Sequence, residues 1–166
     1  MEIWDAYDIH FNRLDKTLIR GGPIPSGYFH GVSIVVVQHD DGTFLMMHRD
    51  PKKEIDSNQW EPGASGSLLK GESFIQGAFR ELEEETGLIV DNMQYMRDYC
   101  YHEYQTLYKI YVTIYHGDKD KITVQQGETD AYRWIKPDEL FKAIDQEEYL
   151  IMFPDVIEEC IRRREK

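Results

Sequence analysis

The 166-residue chain has few cysteines, no long apolar run and a shortage of basic residues. Its two cysteines, Cys100 and Cys160, lie far apart and form no CxxC pattern, so nothing in the sequence asks for a disulfide. A reduced, cytoplasmic setting is therefore expected. No stretch of 18 or more apolar residues occurs, which excludes a transmembrane helix, and the acidic start MEIWDAYDIH is unlike a secretory signal.

The charge balance sets a limit on the partners. There are 19 basic and 31 acidic residues, which gives a formal net charge of −12. Such a surface repels polyanions, so nucleic acid is not the expected partner. A small phosphorylated ligand stays compatible if metal ions screen its charge. The length and the 41% of hydrophobic residues suit one globular domain, residues 1–166, with a sizeable core.

Turn signals rich in Gly, Pro and Asp, at residues 21–27, 40–42, 61–66 and 116–120, divide the chain into segments of alternating type. The apolar patterns between them predict strands and helices, and a tight turn at Asp41-Gly42 joins the first two long strands. The interleaving without regular βαβ repetition favours a mixed α/β sandwich, preceded by an N-terminal β-hairpin within residues 1–28. Strands are predicted at 31–38, 43–49, 92–104, 106–116 and 131–135, and helices at 74–86, 137–145 and 154–164.

The segment RELEEETGL, residues 80–88, lies in the first predicted helix and holds four glutamates and a single basic residue. Ser73 and Gln76 form a capping box that begins the helix, and Gly87 is a typical C-terminal cap. Because each residue turns by about 100°, Glu81, Glu84 and Glu85 share one arc of about 100°. Glu83 lies on the opposite side. The predicted core stripe comprises Ile75, Ala78, Phe79 and Leu82.

Three converging carboxylates are unfavourable in a bare helix. The Glu81–Glu85 pair costs about 0.2–0.5 kcal/mol, and no basic residue follows four positions later to offset it. Hard cations such as Mg²⁺ or Mn²⁺ take oxygen ligands and suit such a set. Gly77 falls in the same arc and is predicted to leave room for a metal-bound phosphate. A plain solvated face is the alternative interpretation of this helix alone.

The wider segment GSLLKGESFIQGAFRELEEETGL, residues 66–88, resembles the Nudix box, G-x5-E-x7-R-E-U-x-E-E-x-G-U with U aliphatic, at every fixed position. The resemblance implies a Nudix-type α/β/α sandwich around a mixed sheet. It also implies hydrolysis of a nucleoside diphosphate derivative or a related small diphosphate, with Mg²⁺ or Mn²⁺. Carried over by position, the metal ligands are Glu81, Glu84, Glu85 and the backbone carbonyl of Gly66.

The resemblance also implies roles for residues around these ligands. Arg80 and Glu72 would orient the loop and the glutamates, and Glu72 is also a candidate substrate-binding residue. The base that takes the proton from water would be a box glutamate, Glu81 or Glu84, or else Glu128 on a later loop. Arg49 is a candidate phosphate ligand, and otherwise a surface arginine paired with an acidic neighbour. Tyr104, sixteen residues after the box, is a candidate for stacking on a base, and otherwise part of a half-buried sheet.

A looser similarity connects the N-terminal region and NQWEPGASGSLLKGES to the isopentenyl-diphosphate-isomerase-like branch of the family. True isomerases use a loop cysteine and several histidines. The matching loop here, KEIDSNQWEPGASG, has neither, and only His30 has a counterpart. A hydrolase is therefore favoured over an isomerase, and over a non-catalytic nucleotide-sensing domain. The N-terminal hairpin is a candidate contact in a homodimer.

Overall fold

A computed structural model of the chain describes residues 1–144 and 146–164. Within them lie nine strands, three α-helices and one 3-10 turn at Lys119–Lys121. The strands are β1 (Ile3–Tyr7), β2 (Arg13–Ile19), β3 (His30–His39), β4 (Phe44–Arg49), β5 (Trp60–Pro62), β6 (Ala64–Ser67), β7 (Gln94–Tyr101), β8 (Thr106–Tyr115) and β9 (Thr129–Ile135). The helices are α1 (Phe74–Thr86), α2 (Pro137–Ala143) and α3 (Pro154–Arg164).

Seven of the strands form one mixed sheet in the order β5-β4-β3-β8-β7, with β6 paired to β3 and β9 paired to β4. The central pair, β3 and β8, is parallel, and the other pairs are antiparallel. The first half of β3 pairs with β6, and its end, at Gln38, pairs with Phe44 of β4. The strand β3 therefore supports both the main sheet and the short strand that leads to α1.

Helices cover both faces of this sheet. Since alternate side chains of β3 point to opposite faces, this strand contributes to the core on each side. Val35 and Val37 belong to the core under α1, together with Leu82. Val36 belongs to the core under α2 and α3, together with Leu140 and Ile157. The mixed sheet with helices on both faces confirms the predicted α/β/α sandwich.

The N-terminal hairpin forms its own two-stranded antiparallel sheet, as predicted. Backbone bonds dock it onto the loop before α1 and onto the start of β3. The Lys70 amide donates to the Ile3 carbonyl at 2.9 Å, and Tyr7 and Phe29 exchange bonds at 2.9 and 3.0 Å. The Trp4 ring stacks on His30 with 4.4 Å between centroids. The hairpin therefore packs directly beside the segment that contains the glutamates.

Most predicted elements agree with the structure to within a few residues. The helix 74–86 and the turn at Asp41-Gly42 are confirmed, with the His39 amide donating to the Thr43 carbonyl at 2.8 Å. The helix predicted at 137–145 ends at Ala143, and residue 145 lies outside the described residues. The prediction that 61–66 is only a turn was wrong, because β5 and β6 occupy it. Strands of three and four residues are too short to express a period.

The alternation along β8 predicts that Tyr108, Ile110, Val112 and Ile114 share one face, and the structure covers both faces of this strand. Leu107 and Tyr111 join the core under α1, while Ile110 and Val112 join the other core. Ile114, assigned to the buried face, is 51% exposed near the strand end. Both cysteines are free. No helix among the described residues is long and apolar enough to cross a membrane.

Candidate active site

The helix α1 begins at the capping box that the sequence predicts. The Ser73 hydroxyl accepts from the Gln76 amide, the Gln76 side chain accepts from the Ser73 amide, and Gly87 ends the helix in the left-handed conformation. The Ser33 hydroxyl donates to the Phe74 carbonyl at 2.6 Å and ties this helix start to β3. The caps therefore fix where α1 begins and ends, and the buried bond fixes its first turn against β3.

The face that α1 buries includes glutamate side chains and differs from the predicted stripe. Ala78 and Leu82 are buried as expected, but Ile75 and Phe79 are only half-buried. Glu85 is buried, at 4% exposed, whereas Glu83 is exposed and points away as predicted. The helix is thus rotated so that Glu85 faces the sheet while Glu83 and Glu84 stay exposed.

Arg80 gathers the acidic side chains of the box around one guanidinium. Its Nε and Nη2 donate to the two carboxylate oxygens of Glu72 at 2.7 and 2.9 Å. Its Nη1 donates to Glu81 at 2.7 Å and to Glu84 at 3.0 Å. Glu72 also accepts from the Leu69 amide at 2.8 Å, so the arginine links the loop to the helix. The pKa of Arg80 is raised, first by its hydrogen bonds to Glu72.

Glu81 lies against the backbone of Gly66, on β6. A Cβ placed on Gly66 would lie 2.0 Å from the Glu81 carboxyl carbon, so only glycine permits this approach. Burial raises the pKa of Glu81 to about 7, and repulsion from Glu84 and Glu72 adds to that rise. Arg80 acts in the opposite direction. Two groups of the predicted metal set, Gly66 and Glu81, are therefore in contact.

Glu85 lies deeper and accepts from the Ser65 amide at 3.1 Å. Burial raises its pKa well above the ordinary value, followed by repulsion from Glu61 and Glu81. Glu61 was not identified from the sequence, although it is 7% exposed and its carboxylate accepts from the Ser65 hydroxyl at 3.4 Å. The one sequence signal that could have identified Glu61 is an acidic residue between Trp60 and Pro62, in a segment otherwise rich in turn residues.

Arg49 completes this buried end of the cluster. Its Nη1 donates to Glu61 at 2.7 Å, and its remaining nitrogens donate to the carbonyls of Asp56 at 2.8 Å and Ile55 at 3.2 Å. The side chain is 12% exposed. Arg49 thus anchors the β4–β5 loop to the cluster, and its contact with a substrate phosphate stays a prediction.

Glu128 lies on the loop before β9, next to the end of β4. Its carbonyl accepts from the Asp50 amide at 2.9 Å, and its carboxylate pairs with Lys53. The charge of Lys53 also reaches Glu85. Glu128 therefore belongs to the rim of the cluster, where Lys53 lies between it and the charge of Glu85.

Two predicted features lie apart from the carboxylates. Tyr104 is in the β7–β8 turn, where its ring packs on Tyr101 with 4.9 Å between centroids, and among residues 1–144 and 146–164 no hydrogen bond or ring contact joins it to the box. The space predicted beside Gly77 for a phosphate is taken, because a Cβ there would lie 2.3 Å from the Leu68 side chain. That prediction was wrong: Gly77 makes room for core packing.

The donor set fits a hard divalent cation. It consists of carboxylate oxygens that repel one another, beside the backbone of a glycine. Within residues 1–144 and 146–164, no three acidic, histidine or cysteine side chains already enclose a point for an ion. In this arrangement Arg80 holds Glu81 and Glu84 while the Ser65 amide holds Glu85.

Comparison with known proteins agrees with this geometry. The sequence profile of the NUDIX domain matches residues 28–155. An uncharacterized Nudix hydrolase of Listeria monocytogenes is 31% identical over 140 residues, which are 84% of this chain and 83% of the relative. An RNA pyrophosphohydrolase of Pelagibacter ubique is 39% identical over 59 residues, which are 36% of this chain and 34% of that protein.

Solved structures share the fold at low sequence identity. The DR0079 protein of Deinococcus radiodurans has a TM-score of 0.73, with 98% of both chains covered and 16% identity. The NUDIX domain of Shewanella oneidensis NrtR, crystallised in complex with ADP ribose, has a TM-score of 0.65, with 89% and 96% covered and 14% identity. The profile match, the relative from Listeria and the arrangement around Arg80 together show that this chain belongs to the Nudix hydrolase family, as an enzyme of the pyrophosphohydrolase type.

Proposed function

We propose that the enzyme cleaves the diphosphate linkage of a nucleoside diphosphate derivative, or of a related small diphosphate, by attack of water. The observation that carries this proposal is the cluster of Glu81, Glu84 and Glu85 on one helix face beside Gly66. A large excess of negative charge at one place is a poor environment for a diphosphate unless cations are also bound.

We assign Glu81, Glu84, Glu85 and the Gly66 carbonyl as the groups that would hold Mg²⁺ or Mn²⁺. A divalent cation supplies charge neutralisation to the phosphates and lowers the pKa of bound water. The protein contributes the positions of the oxygens. Arg80 and Glu72 tie the loop to the helix, and the Ser65 amide orients Glu85. Loss of any of these contacts would let the carboxylates diverge.

The base that accepts the proton from water is assigned to a box glutamate. Glu84 is the most accessible of the three carboxylates, with 46% of its side chain exposed, against 13% for Glu81. The alternative base, Glu128, is paired with Lys53, as Glu84 is with Arg80, and its side chain is less exposed, at 36%. General-base catalysis of this kind contributes roughly 10²–10⁴-fold to a rate.

The substrate is proposed to be small. A net charge of −12 opposes binding of a polyanion, although this chain is similar to part of an RNA pyrophosphohydrolase. The isomerase alternative lacks support, because Cys100 lies on β7 and Cys160 lies on α3, in the core that faces away from α1. Neither thiol belongs to the glutamate cluster.

The test is a panel of nucleoside diphosphate derivatives, including ADP-ribose and dinucleoside polyphosphates, incubated with Mg²⁺ or Mn²⁺ and analysed for phosphate and mononucleotide. We expect Glu84→Gln to lower turnover of a hydrolysed compound by roughly 10²–10⁴-fold. Glu83→Gln is the matched control, since it makes the same change on the exposed side of the same helix.

Four outcomes would contradict the proposed function or the assigned base. Equal turnover in the Glu84→Gln and Glu83→Gln proteins would remove the role of the cluster. Turnover lost in Glu128→Gln but kept in Glu84→Gln would move the base to the rim. Binding of the panel compounds without any product would make the domain a sensor, and conversion of isopentenyl diphosphate to its isomer would make it an isomerase.

A further inference from the structure

The cations nearest the glutamate cluster are nearly all engaged by protein groups. Arg80 donates to three carboxylates and to the Ser67 carbonyl, and Arg49 donates to Glu61 and two loop carbonyls. Their side chains are 21% and 12% exposed. Lys53 is 19% exposed and pairs with Glu128. A substrate with two phosphates therefore meets few free donors at these positions.

Arg20 differs from these three cations. It follows β2 in the N-terminal hairpin, and its side chain is 59% exposed. Its one side-chain acceptor among the described residues is Glu2, which accepts from Nη1 at 2.9 Å. The Nε and Nη2 groups have no acceptor in that part of the chain. An arginine fork with free donors matches the oxygens of a phosphate.

The hairpin places Arg20 beside the loop that leads to Glu72. The Ile3 carbonyl accepts from Lys70, two residues before Glu72, and the Arg20 amide donates to the Glu2 carbonyl at 3.1 Å. The pKa of Arg20 is raised, first by its hydrogen bond to Glu2, and the charges of Glu128 and Glu81 contribute to the rise. The charge of Arg80 in turn reaches Glu2. The docked hairpin therefore leaves Arg20 close enough to interact with the charges of Glu81 and Glu128.

We propose that Arg20 is a substrate-binding residue that the N-terminal hairpin supplies to the glutamate cluster, where its free guanidinium donors bind a phosphate of the diphosphate. Glu2 is the positioning residue for this arginine. Its carboxylate is itself held by the Trp4 indole at 2.7 Å, and Trp4 stacks on His30 at the start of β3. The arginine is thus aimed from the sheet through a chain of three contacts. This inference rests on the proposed function, because it assumes a diphosphate ligand.

The experiment measures binding of methylene diphosphonate, a non-hydrolysable diphosphate, to the full chain with Mg²⁺ by isothermal titration calorimetry. We expect Arg20→Gln to raise the dissociation constant at least about 10-fold, since charge-assisted hydrogen bonds to the phosphate are lost. Arg20→Lys retains a point charge without the fork and should recover part of that loss. Glu2→Gln, which keeps the cation and loosens its anchor, should have a smaller effect than Arg20→Gln.

Arg13→Gln is the matched control. Arg13 is on the same hairpin, is 56% exposed and has a single ion pair, with Asp5 at 3.5 Å. Removing it makes the same change in net charge and should leave the dissociation constant within about twofold. Thermal unfolding of both variants separates a loosened hairpin from a lost phosphate contact, because a structural role would lower the midpoint in proportion to the binding loss.

Equal binding by the Arg20→Gln and Arg13→Gln proteins would overturn the proposal. So would the absence of any binding of the diphosphonate to the wild-type protein at millimolar concentration. Failure of the proposed hydrolysis is a separate result. A protein that binds the diphosphonate through Arg20 and yet hydrolyses no compound of the panel would retain the binding residue and lose the assigned reaction.

Discussion

Gly66 is the residue at which the absence of a side chain matters most directly, because its backbone touches the Glu81 carboxylate. A Cβ on Gly66 would lie 2.0 Å from the carboxyl carbon of Glu81 and 2.0 Å from one of its carboxyl oxygens. Glu81 would have to move away, and Arg80, which donates to it, would follow. A displacement of about 1 Å at a catalytic group can cost roughly 10²-fold in rate.

We therefore expect Gly66→Ala to lower kcat/KM by about 10²-fold while the protein stays folded. Steady-state kinetics with a compound that the wild-type enzyme hydrolyses is the measurement. Gly77→Ala is the contrasting variant, since its Cβ would meet the tip of Leu68 in the core. Its effect should fall on stability, as overpacking of about 1–3 kcal/mol offset in part by the helix preference of alanine. Equal turnover of Gly66→Ala and wild type would contradict this account.

At the scale of elements, the β4–β5 loop depends on one side chain. Arg49 donates to the carbonyls of Ile55 and Asp56 and to the buried carboxylate of Glu61. Asp56 and Asn58 have positive φ values of 49° and 60°, so this loop adopts a conformation that side chains disfavour. The anchor offsets that preference. The loop, the cluster and the end of β4 are thereby connected.

Replacing Arg49 by lysine should loosen this loop, because an ammonium cannot reproduce three contacts made by a planar fork. We expect the free energy of unfolding to fall by about 1–3 kcal/mol, with faster amide exchange at Lys53 and Asn58. Urea unfolding and hydrogen exchange measure the two effects. Arg13→Lys, at an exposed site with one ion pair, should change neither. An Arg49→Lys protein that loses turnover with unchanged exchange would instead favour a phosphate contact.

At the scale of the whole molecule, His30 joins the hairpin to the sheet. Its Nε2 bonds to the Thr106 hydroxyl at 2.9 Å, one ring face stacks on Trp4, and Nδ1 is buried without a partner. Burial lowers the pKa of His30 to about 4. Between that value and the unfolded value near 6.5, the unfolded chain binds a proton that the folded chain does not. Stability contributed by neutral His30 is therefore lost as the pH falls through this window.

We expect acidification from pH 7.5 to pH 4.5 to destabilise the wild-type protein by up to about 3 kcal/mol more than His30→Gln. Urea unfolding at both pH values gives the difference. His10→Gln, at an exposed turn position in the same hairpin, is the control and should follow the wild type. If the free energy of unfolding changed equally with pH in the wild type and in His30→Gln, protonation of His30 would not be a cause of the acid destabilisation.

The same three scales show how far the sequence could be read. At the residue scale, helical geometry separated Glu83 from the other glutamates, yet it placed Glu85 on a shared face with no sign that it is buried. At the element scale, α1 was predicted from its caps, whereas β5 and β6 were missed. Gly63 joins these strands at φ +63°, where a Cβ would lie 1.8 Å from the Val35 carbonyl oxygen. Such a requirement exists only after β3 is in place.

The sequence by itself determined the helix that holds the carboxylates, the side from which they project and the family to which the box belongs. These features depend on local geometry: a period of 3.6 residues, a capping box and a fixed spacing. Only the tertiary structure decided which other groups meet them. Glu61, Arg49 and Arg20 come from three separate segments. Glu61 and Arg49 reach the cluster because β4 pairs with β5 and β6 pairs with β3, and the hairpin that holds Arg20 docks on Lys70 beside them. Contacts between distant segments leave no periodic trace in a single sequence, and they are what turns an acidic helix into a site.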